Sequence, residues 1–244
     1  MEESKCATQG TALVGVDENI VNALDHFKSK YAESIGKIAV ANGFACVTDG
    51  RIAIRVKLAG DVKDEIPQNF PADRLLWIVS SADSETRWRS LDAEVYDRMK
   101  SDFLESFREA ERRERSNASD RYKRLECPSC GEDVWLDTYE DKLVKEDDLE
   151  KYEPMRFCDV HYPVRFNFGN AELDINFGYV VMVVLAFGQD VLVSCVKDGN
   201  GQEMLAFSSE KWNMKGVLMP MRKDGTYKGK VKMSEVANAA DRTA

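Results

Sequence analysis

The chain has 244 residues, of which 43% are apolar, and 34 Lys and Arg stand against 43 Asp and Glu for a formal charge of −9. That much apolar side chain can fill a core, which excludes a disordered or fibrous chain. The acidic balance disfavours indiscriminate adsorption to nucleic acid or to a membrane, while leaving room for a local basic patch.

In chain order, Asp17 offers an N-cap oxygen to a helix with Glu18 in its first turn and Ile20, Leu24, Phe27 and Tyr31 as its apolar face. This helix is expected to reach Lys30. Strands follow over 37–41, 44–47 and 51–58. Asn42-Gly43 joins the first two as a two-residue hairpin, since both central positions must take a positive φ, and Asp49-Gly50 makes the next turn. Alternation in the third strand puts Ile52, Ile54, Val56 and Leu58 on one face and Arg51, Ala53, Arg55 and Lys57 on the other. With an apolar stretch over 11–16 ahead of the helix, the order is β-α-β-β-β.

Prolines at 67 and 71 break regular structure, and 73–79 has the makings of a short helix. A long charged helix is expected from Ser90 to about Arg115, with Tyr96, Met99, Phe103 and Phe107 as its stripe and Ser116-Asn117 at its end. From residue 164 the first order returns without sequence identity. Strands over 164–168 and 172–175 precede an apolar helix over 176–187 closed by Gly188, and strands over 190–196, 203–207 and 212–221 follow. The expected fold is therefore α+β, with β-α-β-β-β units in 1–70 and 164–222. A helical, zinc-ribbon-like insertion occupies 71–163, and a basic then flexible tail 223–244.

The 179–187 run spans only about half a bilayer, and the N-terminal Met-Glu-Glu-Ser-Lys has no hydrophobic leader core. A cytoplasmic protein with no membrane partner is expected, and its six cysteines are expected to be reduced or bound to metal. Cys127 and Cys130 form a CxxC followed by glycine, and Cys158 and His161 repeat the two-residue spacing after a gap of 27 residues. Three thiolates and one imidazole make a complete tetrahedral soft site for structural Zn²⁺, with no coordination position left open for catalysis. A redox CxxC and a chance pairing in a surface loop are the alternatives.

With His161 assigned to metal, only His26 remains as an imidazole base, and no glycine-rich phosphate loop opens a helix. Catalytic residues, and enzymatic activity, are not expected. Arg222, Lys223, Lys228, Lys230 and Lys232 form a basic stretch that serves either as phosphate contacts or as an ordinary solvated tail.

The stretch Phe44-Ala45-Cys46-Val47-Thr48-Asp49-Gly50-Arg51-Ile52-Ala53 resembles the strand-turn segment of the DNA sliding clamp family (the β subunit of bacterial DNA polymerase III), where Thr-Asp-Gly precedes a basic and an apolar residue. Val217-Leu218-Met219-Pro220-Met221-Arg222 is similar to the Val-Met-Pro-Met-Arg ending of the bacterial proteins, and 171–187 resembles the strand and helix before it. Together the matches cover 11–70 and 164–222, about half the chain. The resemblance implies one clamp-like domain built from the two units and interrupted by the zinc-binding insertion. It implies a processivity or partner-docking accessory factor of DNA replication, with a DNA polymerase or other replication protein as partner and DNA as a possible one. It also implies that Met219, Pro220 and Met221 line a hydrophobic cleft for partner peptides, although the same residues read equally as a last core strand. A zinc-bearing adaptor or regulatory protein acting by protein contacts, without a replication role, is the alternative class.

Two features depart from a clamp. One pair of units supplies only one of the several domains a ring needs, which leaves the oligomeric state open. The 179–187 helix is apolar on all sides, where clamps line their hole with polar and basic helix faces. Such a helix must be covered by protein, and the insertion is the expected cover.

Overall fold

The computed structural model describes residues 15–29, 32, 35–126, 133–138, 142–144, 155–169, 171–221 and 229–235. The first part of the chain forms α1 (Glu18–Asp25), β1 (Ala39–Ala41), β2 (Phe44–Thr48), β3 (Ile52–Lys57), α2 (Ala72–Ser80), β4 (Arg89–Leu91) and α3 (Ala93–Arg121). Three short strands come next: β5 (Tyr122–Glu126), β6 (Asp133–Asp137) and β7 (Lys142–Val144). A 3-10 turn (Phe157–Asp159) leads to β8 (Pro163–Asn167), β9 (Glu172–Asn176), α4 (Phe177–Phe187), β10 (Leu192–Lys197), β11 (Glu203–Ser209), β12 (Met214–Leu218) and β13 (Gly229–Glu235). The fold is α+β, and β13 against β8 is the one parallel pairing among the described strands.

Local rules account for most of these elements. Asp17 Oδ1 accepts the Asn19 amide at 2.8 Å and starts α1. Asn42 (φ 53°) and Gly43 (φ 75°) both take the left-handed conformation that the β1–β2 hairpin demands. Asn176 caps α4, whose C-terminus ends on Gly188 at φ 98°. Helix α1 stops at Asp25, short of Lys30. Its end tightens into a 3-10 bond from Phe27 N to Leu24 O, and Phe27 stacks in the core on Phe187 with ring centroids 6.1 Å apart.

The ten-stranded sheet runs β1-β2-β3-β12-β11-β10-β4-β13-β8-β9. Third and fourth in that order stand β3 and β12, an antiparallel pair with Ile54 opposite Gly216 and Ile52 opposite Leu218. On either side of that pair the two meanders run outward in mirrored order, and each half contributes one helix, α1 or α4, to the same face. Ile52, Ile54, Val56 and Leu58 meet those helices as their alternation foretells. The opposite face of β3 is not solvated. Ala53 packs under Leu75 and Val79 of α2, and Arg55, only 8% exposed, pairs there with Asp83.

Helix α4 is enclosed. Phe177 to Val184 and Phe187 are buried, while Leu185 stands exposed. Part of the cover is α3, whose Tyr96, Met99 and Phe103 are buried against it, and part is the 157–159 turn.

Three stretches depart from expectation. Helix α3 runs through Ser116-Asn117 to Arg121, where the guanidinium donates to Asp137 Oδ2 at 3.0 and 2.8 Å. Asp137 is 1% exposed, so this pair ties the end of α3 to β6. Residues 72–80 and 89–91, expected within the insertion, are integral to the main body: α2 covers the sheet and β4 pairs with both β10 and β13. The stretch expected as a basic tail contributes β13, an inner strand between β4 and β8. The strand expected over 11–16 and the last residues, for which mobility was expected, fall largely outside the described residues. No helix among the described residues is long and apolar enough to cross a membrane.

Candidate functional site

The turn between β2 and β3 is held by side chains from within and from across the fold. The Thr48 hydroxyl donates to Ile52 O (2.7 Å) and accepts from Gly50 N (3.0 Å). Asp49 Oδ1 accepts the amides of Arg51 (2.9 Å) and Ile52 (3.1 Å), an Asx-type closure. Asp49 Oδ2 accepts the Tyr179 hydroxyl of α4 at 2.6 Å. Burial and the adjacent Asp49 charge push the Tyr179 phenol well above its ordinary range, so it remains a donor. Gly50, at φ 92°, supplies the left-handed position.

Beyond β12, Met219 N donates to Arg51 O at 2.9 Å, which extends the β3·β12 pairing and brings Met219 to the turn. Between them opens a groove of about 250 Å³. Thr48, Gly50 and Arg51 form one wall, Leu75 and Ile78 of α2 another, and Val217 with Met219 the third. Met219 is 38% exposed, so its thioether is available to a ligand. Pro220 and Met221 are half-buried and outside the lining; the Met221 amide donates to Asp174 O of β9 at 2.7 Å. The α2 wall escaped sequence reading. Leu75 and Ile78 at i,i+3 are its only signal, and a helical stripe of that kind reads as core.

Of the expected zinc ligands, Cys127 and Cys130 lie outside the described residues. They belong to the connection between β5 and β6, which pair antiparallel up to Glu126 and Asp133. Cys158 sits on the 3-10 turn, 4% exposed, and burial pushes its thiol up to about 11. Its Sγ is 3.8 Å from Asp159 Oδ1, and its carbonyl accepts from Asn176 Nδ2 at 3.0 Å. His161 is exposed. Among the described residues no three His, Cys, Asp or Glu side chains gather as an ion requires.

Arg222, Lys223 and Lys228 also lie outside the described residues. Lys230 and Lys232 occupy alternate positions of β13, opposite Arg165 and Asn167 of β8. Cys46 and Cys195 are in strands, and burial raises their thiols to about 12 and about 11. Comparison with family models, with curated proteins and with solved structures found no match.

Proposed function

We propose that the chain is a non-enzymatic, sliding-clamp-like accessory factor of DNA replication that docks an apolar segment of a polymerase or another replication protein. The observation that carries this reading is a convergence. The Thr48–Ala53 and Val217–Met221 segments, on which the resemblance rests, lie far apart in sequence, yet they meet at one groove and share the Met219–Arg51 backbone bond. Burying a methionine side chain contributes about 1.5–3 kcal/mol. Met219→Ala is therefore expected to weaken binding to the source organism's replicative polymerase by about tenfold or more, measured by surface plasmon resonance. Met221→Ala, outside the groove, is expected to change it little. Equal affinities for wild type and Met219→Ala would remove the groove from the reading.

The proposal includes a structural Zn²⁺ on Cys127, Cys130, Cys158 and His161, supported by the spacing of both pairs and by the position of the first between two paired strands. When bound, the ion would cross-link the β5–β6 connection to the turn beneath α4 and supply no reaction. Cys127→Ser is expected to lower bound zinc from one per chain to none and to speed amide exchange over 120–165. Unchanged metal content would count against the site.

One observation favours the alternative of a zinc-bearing adaptor or regulatory protein acting by protein contacts without a replication role. The face of α4 is covered by α3, and exposed Glu18, Asn22 and Asp25 on α1 offer no phosphate-binding surface. If DNA is a partner, Arg222, Lys223, Lys228, Lys230 and Lys232 are the proposed contacts, and affinity should fall steeply with salt.

A further inference from the structure

We infer that the segment taken by the groove carries a carboxylate beside its apolar side chains, an inference that rests on the docking reading above. In a chain with 43 acidic residues, no Asp or Glu among the described residues lines the groove, and the charged groups among its described lining are Arg51 on the turn and Arg74 on α2. Both side chains are exposed, and neither guanidinium has a hydrogen-bond or ion-pair partner among the described residues. Arg55, Arg121 and Arg165, by contrast, are each paired with an aspartate of this chain.

The nearby acids Asp49 and Asp73 form no ion pair with the two guanidinium groups. Asp49 already accepts from the Tyr179 hydroxyl and from the Arg51 and Ile52 amides. Asp73 precedes Arg74 on α2, and adjacent helix positions do not face each other. The volume of about 250 Å³ falls below the roughly 300–1,000 Å³ of small-molecule sites and suits a few side chains of an extended segment. Ile52, Leu75, Ile78, Val217 and Met219 provide the apolar surface for those side chains. A guanidinium at each side then favours a carboxylate, which it can grip with two parallel N–H···O bonds. On a protein of net charge −9, such a local field also selects against segments without an acid.

The test is selection of a phage-displayed library of random dodecapeptides on the full chain. Enriched peptides are expected to combine Asp or Glu with Leu, Ile, Phe or Met. Changing aspartate to asparagine in the best of them should weaken binding about tenfold at low salt. The Arg51→Gln, Arg74→Gln double variant should abolish that difference, with an unchanged melting curve. Enrichment of apolar peptides with no acidic bias, lost on Met219→Ala, would overturn the carboxylate and leave the groove reading standing. No enrichment, or enrichment indifferent to Met219→Ala, would overturn the groove reading and this inference with it.

Discussion

Phe103→Ala is expected to lower the stability of the whole chain by about 3–5 kcal/mol, the range for emptying a buried phenylalanine site. Phe103 is fully buried, and its ring meets Phe157 (5.7 Å between centroids), Tyr162 (5.5 Å) and Phe177 (6.1 Å) edge to face, with Phe107 tilted beside it at 6.3 Å. One side chain of α3 thus touches the 157–159 turn, the entry to β8 and the first residue of α4. Such pairs add about 0.5–1.5 kcal/mol each beyond burial, and they cannot re-form around a cavity that has no ring to present. The collapse matters because α4 is apolar on every side and has no polar face to fall back on. Denaturant unfolding provides the measurement: the midpoint should fall, and Phe103→Leu should recover most of the loss. A loss below about 1 kcal/mol would mean that α3 is an appendage rather than a wall of the core.

The need for that wall was legible in the sequence, and its source was too. An all-apolar 179–187 helix has to be covered, and the Tyr96, Met99, Phe103 stripe was the available cover. Elements written in local chemistry were likewise readable: the Asn42-Gly43 hairpin, the Asp17 cap, the Gly188 stop, and the strand alternation from Ile52 to Leu58. What failed to show was settled by distant partners. Ser116-Asn117 reads as a helix end because both residues prefer caps, yet α3 continues to Arg121, where Asp137 of β6 receives the guanidinium. β4 has three residues and no apolar alternation, and it exists by pairing with β10 and β13. β13 reads as a lysine-rich tail because its backbone pairing with β4 and β8 leaves no trace in residue type.

The groove was half legible. Met219 and the Thr48–Ala53 segment stand out as motifs, but nothing in either indicates that they share a wall. That follows from the β3·β12 pairing, a contact between the two halves that no local pattern encodes. The arginines were seen only as strand and helix residues. Their significance arises once the described residues of the surrounding lining prove to include no acid.

Gly178→Ala is the second change expected to have a large effect, and it runs against helix propensity. Alanine in place of glycine ordinarily stabilises a helix interior by about 1 kcal/mol. Here a Cβ would stand 2.6 Å from the Phe157 carbonyl carbon and 3.1 Å from Cys158 N, closer still to the Phe157 oxygen. Backbone on both sides cannot rotate away as a side chain would, so the first turn of α4 and the 157–159 turn have to separate. Overpacking of this kind costs about 1–3 kcal/mol or more, enough to exceed the propensity gain. Separation also strains the Asn176 Nδ2 bond to Cys158 O and the Phe177 N bond to Tyr162 O (2.9 Å). The expected result is a lower melting temperature with faster amide exchange over 155–163, and a higher melting temperature would show that the turn does not seat on α4. The next residue, Tyr179, holds Asp49 and through it the wall of the groove. One turn of α4 therefore touches the insertion with Gly178 and the docking turn with Tyr179. Gly178→Ala should accordingly also speed exchange of the Arg51 and Ile52 amides, whereas Phe103→Ala, acting one helix away, should reach them only through global unfolding.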